Sequence, residues 1–180
     1  YPEAYLERLA SEGINGLWTT VKWREICATP FIAADPERDR RIAKLNRVIA
    51  RCARYGIKVW AFAIEPAAWA PDDPLLRRYP ELGGAPIGRD LAFCPSSAVA
   101  EDYLAGAAGN LFRSVENLGG ILNITHGERA TNCLTSLECT EDIPVDCPRC
   151  GRIPKPQIIT NTLRPMYQGM IDAAPEAQLI

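Results

Sequence analysis

The sequence predicts an α/β fold of the (β/α)8 barrel type, present as roughly half a barrel of about four βα units. Three observations carry this expectation. Helix-like and strand-like patterns alternate along the chain, as they do where helices cross between parallel strands. The run from Ile57 to Ile64 is apolar at nearly every position, which suits a strand covered on both faces. Long loops follow the strand-like segments, where a barrel keeps its functional loops. A whole barrel needs about 250 residues, and the chain has 180. The alternative is a small open parallel α/β sheet. Against it, no glycine-rich phosphate loop follows the first strand.

The elements follow in order. Pro2 to Ser11 reads as a helix with Tyr5, Leu6 and Leu9 on one face, and Gly13 ends it. Ile14 to Val21 is rich in Trp, Thr and Val and reads as a strand. Asp35-Pro36 starts a second helix, with Asp as N-cap and Pro at the first helical position. Ile42, Leu45, Ile49 and Cys52 follow at helical spacing until Tyr55-Gly56. After strand 57–64, a Pro- and Gly-rich loop covers Glu65 to Pro95, too long for a bare connector. A helix from about Ser97 to Leu118 buries Leu104, Ala107, Leu111, Val115 and Leu118. Gly119-Gly120 closes it, and Ile121 to Thr125 is the next strand. A cysteine-rich loop spans 129–156. Gln157 to Ala173 is the last helix, which Pro165 should kink or start. Ala177 to Ile180 opens a further strand. Residues 1–180 therefore form one partial barrel domain of catalytic type, with the cysteine loop as an insertion. The chain opens mid-pattern at Tyr1 and is expected to be an internal piece of a longer polypeptide that supplies the rest of the barrel. Missing targeting signals then say nothing about compartment.

Composition is that of a soluble globular domain, 47% hydrophobic and 23% charged. With a net charge of −2 and no basic stripe, nucleic acid is not an expected partner. The longest apolar stretch, Val59 to Ile64, is too short to span a bilayer, so no membrane partner is expected.

Chemistry gathers where the strands end. The first strand runs into Lys22-Trp23-Arg24-Glu25, the second into Glu65-Pro66 and then Trp69, and the third into His126-Gly127-Glu128. Carboxylates, an arginine and tryptophans thus reach one rim, the ligand side of a parallel α/β fold. Aromatic rings beside carboxylates suit a sugar, whose apolar faces stack on indole while carboxylates bond its hydroxyls. Glu128 is the candidate general acid/base. Glu65 is its partner or a hydroxyl ligand, and His126, the only histidine, bonds a hydroxyl or orients Glu128. Trp23, Trp69 and Arg24 are further candidate substrate contacts. Singly, each tryptophan is at least as often plain packing, and a strand-end histidine is often a structural hydrogen-bonder.

Seven cysteines occur: Cys27, Cys52, Cys94, Cys133, Cys139, Cys147 and Cys150. Cys147-Pro-Arg-Cys150, with Cys133 and Cys139 nearby, has the makings of a tetrahedral structural zinc site. A disulfide pair or free thiols is the alternative. No cofactor is expected for catalysis. The odd cysteine count and a possible zinc site slightly favour a cytoplasmic setting, with compartment left open.

These segments, in this order, resemble the catalytic barrel of glycoside hydrolase family 20, the β-N-acetylhexosaminidase type. Gly13-Ile14-Asn15-Gly16-Leu17-Trp18, on to Trp23-Arg24-Glu25-Ile26, is similar to that family's second strand and its Trp-Arg turn. Tyr55-Gly56-Ile57-Lys58-Val59, leading to Pro66, is similar to its third strand. The helix from Tyr103 to Leu118, then Ile121 to Glu128, resembles its fourth. The resemblance covers about residues 1–128 and implies that Glu128 is the acid of a hexosaminidase-related reaction. It also implies a substrate contact at Asn123, which stands where the family has a histidine. Gly127 replaces the family's aspartate, which orients the substrate's acetamido group, so substrate assistance does not carry over. Pro66-Ala67-Ala68 replaces a Pro-Gly-His turn, and the cysteine loop has no counterpart. Three readings follow: a glycosidase, a non-catalytic carbohydrate-binding relative, and a zinc-stabilised structural or binding domain.

Overall fold

The structure, a computed structural model, describes residues 1–125, 129–134 and 143–180. The elements are α1 (Glu3–Ser11), β1 (Gly16–Thr20), α2 (Trp23–Ile26), α3 (Arg38–Ala53), β2 (Lys58–Ala63), α4 (Pro74–Arg78), β3 (Gly83–Ile87), β4 (Asp90–Phe93), α5 (Ala100–Ser114), β5 (Gly120–Asn123), α6 (Lys155–Ala173) and β6 (Gln178–Leu179). Strands β1, β2, β5 and β6 form one sheet in that order, parallel throughout. The order advances without reversal. A doubly wound open sheet must reverse, so that its helices fall on both faces. Right-handed crossovers that always step the same way put every helix on one face. The topology is therefore that of a (β/α) barrel segment, as expected.

The packing agrees. Val59, Ala61 and Ala63 of β2 and Ile121 of β5 are buried against Leu6 of α1, Ile49 and Cys52 of α3, Leu104, Ala107 and Leu111 of α5, and Met166 and Met170 of α6. The other sheet face is only half covered. Trp18 is 57% exposed and rests on Phe62, with ring centroids 4.7 Å apart. The expectation that β2 is covered on both faces thus holds fully for one face only.

Helix ends follow local chemistry. Gly13 and Gly56 take φ of 82° and 69° just past α1 and α3, a region costly for any residue with a Cβ. Asp35 stands two residues before the N-cap of α3, Glu37, instead of at the cap itself. Its Oδ1 accepts from Glu37 N at 2.7 Å, and regular helix begins at Arg38. Pro165 does not start α6, which runs unbroken from Lys155 to Ala173. The helices α5 and α6 touch through Gly109 and Gly169. A Cβ at Gly169 would collide with the Ala105 carbonyl. Gly169→Ala is expected to destabilise the fold by about 1–3 kcal/mol through forced separation of the two helices, read as a lower urea midpoint with unchanged slope.

The Glu65 to Pro95 segment is not a loop. It holds α4, a 3₁₀ turn at Pro80–Leu82 and the antiparallel hairpin β3–β4. An isolated bridge ties Trp69 to Leu91 through two backbone hydrogen bonds of 3.0 and 2.8 Å. Residues of this insert and of the segments that follow β1 and β2 line one cavity. Among the described residues, no helix is long and apolar enough to cross a membrane.

Candidate functional site

A cavity of about 540 Å³ opens beneath the insert at the carboxyl ends of β1 and β2. Arg24 comes from α2, Phe31 from the loop after it, Glu65 and Trp69 from the segment after β2, Asp73 and Arg78 from α4 and its cap, and Tyr103 from α5. Its wall is an aromatic cluster. Tyr103 packs on Phe31, Trp69 and Phe93 at centroid distances of 5.8, 5.7 and 5.5 Å. The charged groups are fixed by neighbours. Asp73 Oδ1 caps α4 by accepting from Leu75 N at 2.8 Å. The Arg78 guanidinium lies 5.2 Å from the Tyr79 ring centre. An aromatic wall with a few convergent polar groups is the usual make-up of a small-molecule site.

Glu65 is the central group. It is 6% exposed. One carboxyl oxygen accepts from Trp23 N at 2.8 Å and the other from Ala67 N at 3.0 Å. Burial pushes its pKa above the ordinary carboxyl value, while the two backbone donors and the Arg24 charge pull the other way. The peptide bond to Pro66 is cis. Glu65 lies two residues past the end of β2. Its carboxyl thus joins the first turn of α2 to the turn after β2, and its edge reaches the cavity. Tyr103 and Cys27, both buried nearby, are pushed up by desolvation first and by the Glu65 charge second, Cys27 to about 12. Cys27 donates to the Ala107 carbonyl at 3.4 Å and stays a thiol.

No protein-family model and no curated protein sequence matches the chain. Solved structures do. The chain matches a GH36 α-galactosidase from Geobacillus stearothermophilus, a variant in complex with 1-deoxygalactonojirimycin, with a TM-score of 0.56 and 13% identity over 98% of this chain and 24% of that one. It matches a GH138 enzyme targeting the pectin rhamnogalacturonan II with a TM-score of 0.56 and 12% identity over 96% of this chain and 17% of that one. An α-galactosidase from Lactobacillus brevis gives 0.51 and 15% over 99% and 24% of the two chains. The fold is like that of a segment of each of these structures. At these identities the likeness is one of fold, and the chain spans about a quarter of these structures or less.

Three of the residues singled out from the sequence, Arg24, Glu65 and Trp69, share this cavity. His126 and Glu128 lie outside the described residues. The described chain reaches Thr125 at the same rim, since Ile124 N donates to Ala63 O of β2 at 3.3 Å. Trp23 is corrected. It is 1% exposed and its ring packs on Tyr103 at 6.0 Å, because the short helix α2 turns the indole inward. It supports the wall and cannot stack on a ligand. Asn123 does not line the cavity. Its amide donates to Glu65 O at 3.1 Å and to Met166 Sδ at 3.2 Å, tying β5 to the end of β2 and to α6.

Tyr103, Phe31, Tyr79 and Arg78 are wall residues that sequence reasoning did not single out. For Tyr103 a signal was present: it stands four residues before Ala107 on the buried stripe of α5. Of the expected metal ligands, Cys133, Cys147 and Cys150 come together and are joined by Cys94, all four buried. Cys139 lies outside the described residues.

Proposed function

We propose that the chain contributes the acid/base side of a glycoside hydrolase site, binding a sugar in the Arg24–Glu65–Trp69–Tyr103 cavity and cleaving its glycosidic bond with Glu128 as general acid/base. One observation carries the reading: a buried carboxyl with raised pKa stands at a parallel-strand end, inside an aromatic-walled cavity, on a glycosidase-like fold. Glu65 supplies the second carboxyl, as partner to Glu128 or as a ligand of sugar hydroxyls. Trp69 and Tyr103 offer apolar ring faces to the sugar. The half-covered sheet face around Trp18 supports a larger barrel in which further βα units cover it.

The substrate class comes from two sides. The family 20 resemblance points to a hexosaminide, and the structural neighbours include α-galactosidases. A panel of aryl hexosaminides and galactosides separates them. Turnover of at least one, abolished in Glu128→Gln with binding retained, is the expected outcome. No turnover and no binding across the panel would refute the reading. Binding without turnover would support the non-catalytic relative, which Gly127 in place of the family aspartate favours. Trp69→Ala is expected to weaken sugar binding about tenfold, equivalent to about 1.4 kcal/mol, measured by calorimetry on protein whose circular dichroism is unchanged.

A further inference from the structure

We propose that Cys94, Cys133, Cys147 and Cys150 form a four-thiolate structural zinc site that clamps the β3–β4 insert to the segment between β5 and α6. This does not depend on the glycosidase reading. The four sulfurs all lie within 4.8 Å of one another. Cys94 Sγ is 3.8 Å from Cys147 Sγ and 3.7 Å from Cys150 Sγ. With zinc–sulfur bonds of about 2.3 Å, the edge of a regular tetrahedron is about 3.8 Å. A disulfide requires about 2.05 Å, so these pairs are spaced for a shared ion and not for a bond between them.

The surroundings fit an anionic metal centre. Four thiolates around a dication carry two net negative charges, which need donors in a buried place. Arg149 Nε donates to Cys94 Sγ at 3.1 Å, and Ala85 N donates to Cys133 Sγ at 3.4 Å. Arg149 is held in turn by the Glu81 and Gly83 carbonyls at 2.8 and 2.7 Å. The backbone comes close enough that a Cβ at Gly84 would collide with Cys133 Sγ. A small second core of Ala85, Leu134 and Ile158 closes over the sulfurs. The loop between Cys147 and Cys150 is the compact knuckle such sites use, with Gly151 N donating to Cys147 O at 2.8 Å.

Four sulfur ligands leave no open coordination position, so the ion shapes and does not react. Its reach extends to the cavity. Cys94 follows Phe93, whose ring packs on Trp69 at 6.0 Å and Tyr103 at 5.5 Å. Among the described residues, the fourth ligand of the set is Cys94.

Metal analysis of the purified protein tests this. One zinc per chain is expected, and cobalt substitution should give the intense visible bands of tetrahedral four-thiolate cobalt. Cys139→Ser should keep one metal per chain, and Cys94→Ser should lose it or bind at least tenfold more weakly. Zinc retained in Cys94→Ser but lost in Cys139→Ser would overturn the ligand set. No bound metal, iron in place of zinc, or disulfides among these cysteines in the mass spectrum would overturn the site itself. Should Cys94→Ser fail to fold, the wild-type stoichiometry and cobalt spectrum decide: absence of metal or a spectrum of fewer than four thiolates refutes the proposal.

Discussion

Glu128→Gln is expected to lower kcat by about 10²- to 10⁴-fold on a glycoside with a poor leaving group, the usual worth of a positioned general acid. The amide has nearly the shape of the acid but cannot give up a proton to the leaving oxygen. The loss should shrink sharply for a dinitrophenyl glycoside, whose leaving group departs without protonation. This contrast is the useful readout. A merely structural glutamate would damage both substrates alike. KM should change little, since binding rests on the aromatic wall and on Arg24. Equal loss on both leaving groups, or no loss, would remove Glu128 from the acid/base role.

Glu65→Ala is expected to cost about 2 kcal/mol or more in stability at neutral pH. Two backbone donors, Trp23 N and Ala67 N, lose their acceptors together. A buried donor left unpaired costs about 1–3 kcal/mol, which outweighs relief from the burial of the charge. Glu65→Gln should cost less, because one oxygen remains to accept while the amide NH2 meets the second donor. The pH dependence has a definite sign. Burial raises the folded pKa of Glu65 above its ordinary 4.5, so the folded chain holds the proton more tightly than the unfolded chain. Stability from this group is fully present below the unfolded value and is lost as pH rises through the folded value. In Glu65→Gln this fall should disappear. Urea midpoints at several pH values measure it, and an unchanged pH slope in the variant would show that Glu65 does not titrate as argued.

The alternation of helices and strands was legible because each main element is long enough to show its period. The continuous apolar run of β2 and the stripe of α5 are the clearest cases. Two things hid the insert. The hairpin strands, Gly83–Ile87 and Asp90–Phe93, carry small residues and a proline where alternation would show. Only Gly88, at φ 59°, marks their turn. The helix α2 has four residues, too short for periodicity, yet it decides that Trp23 is buried while Arg24 stays exposed and lines the cavity. The strand-end rule brought Arg24, Glu65 and Trp69 together correctly, because parallel strands in one sheet end on one side. It could not see the ring contacts that make Tyr103 and Phe31 the wall. Cys94 was missed as a partner because sequence groups cysteines by nearness along the chain. Its contact with Cys147 and Cys150 arises from hairpin packing, which no spacing encodes.

The most direct measurement is a crystal structure of Glu128→Gln with the aryl glycoside that the wild type turns over. The account predicts a pyranose ring against Trp69 and Tyr103, within about 4 Å contact distance, with the glycosidic oxygen facing residue 128. A sugar seated elsewhere, with Trp69 and Tyr103 untouched and residue 128 turned away from it, would contradict it.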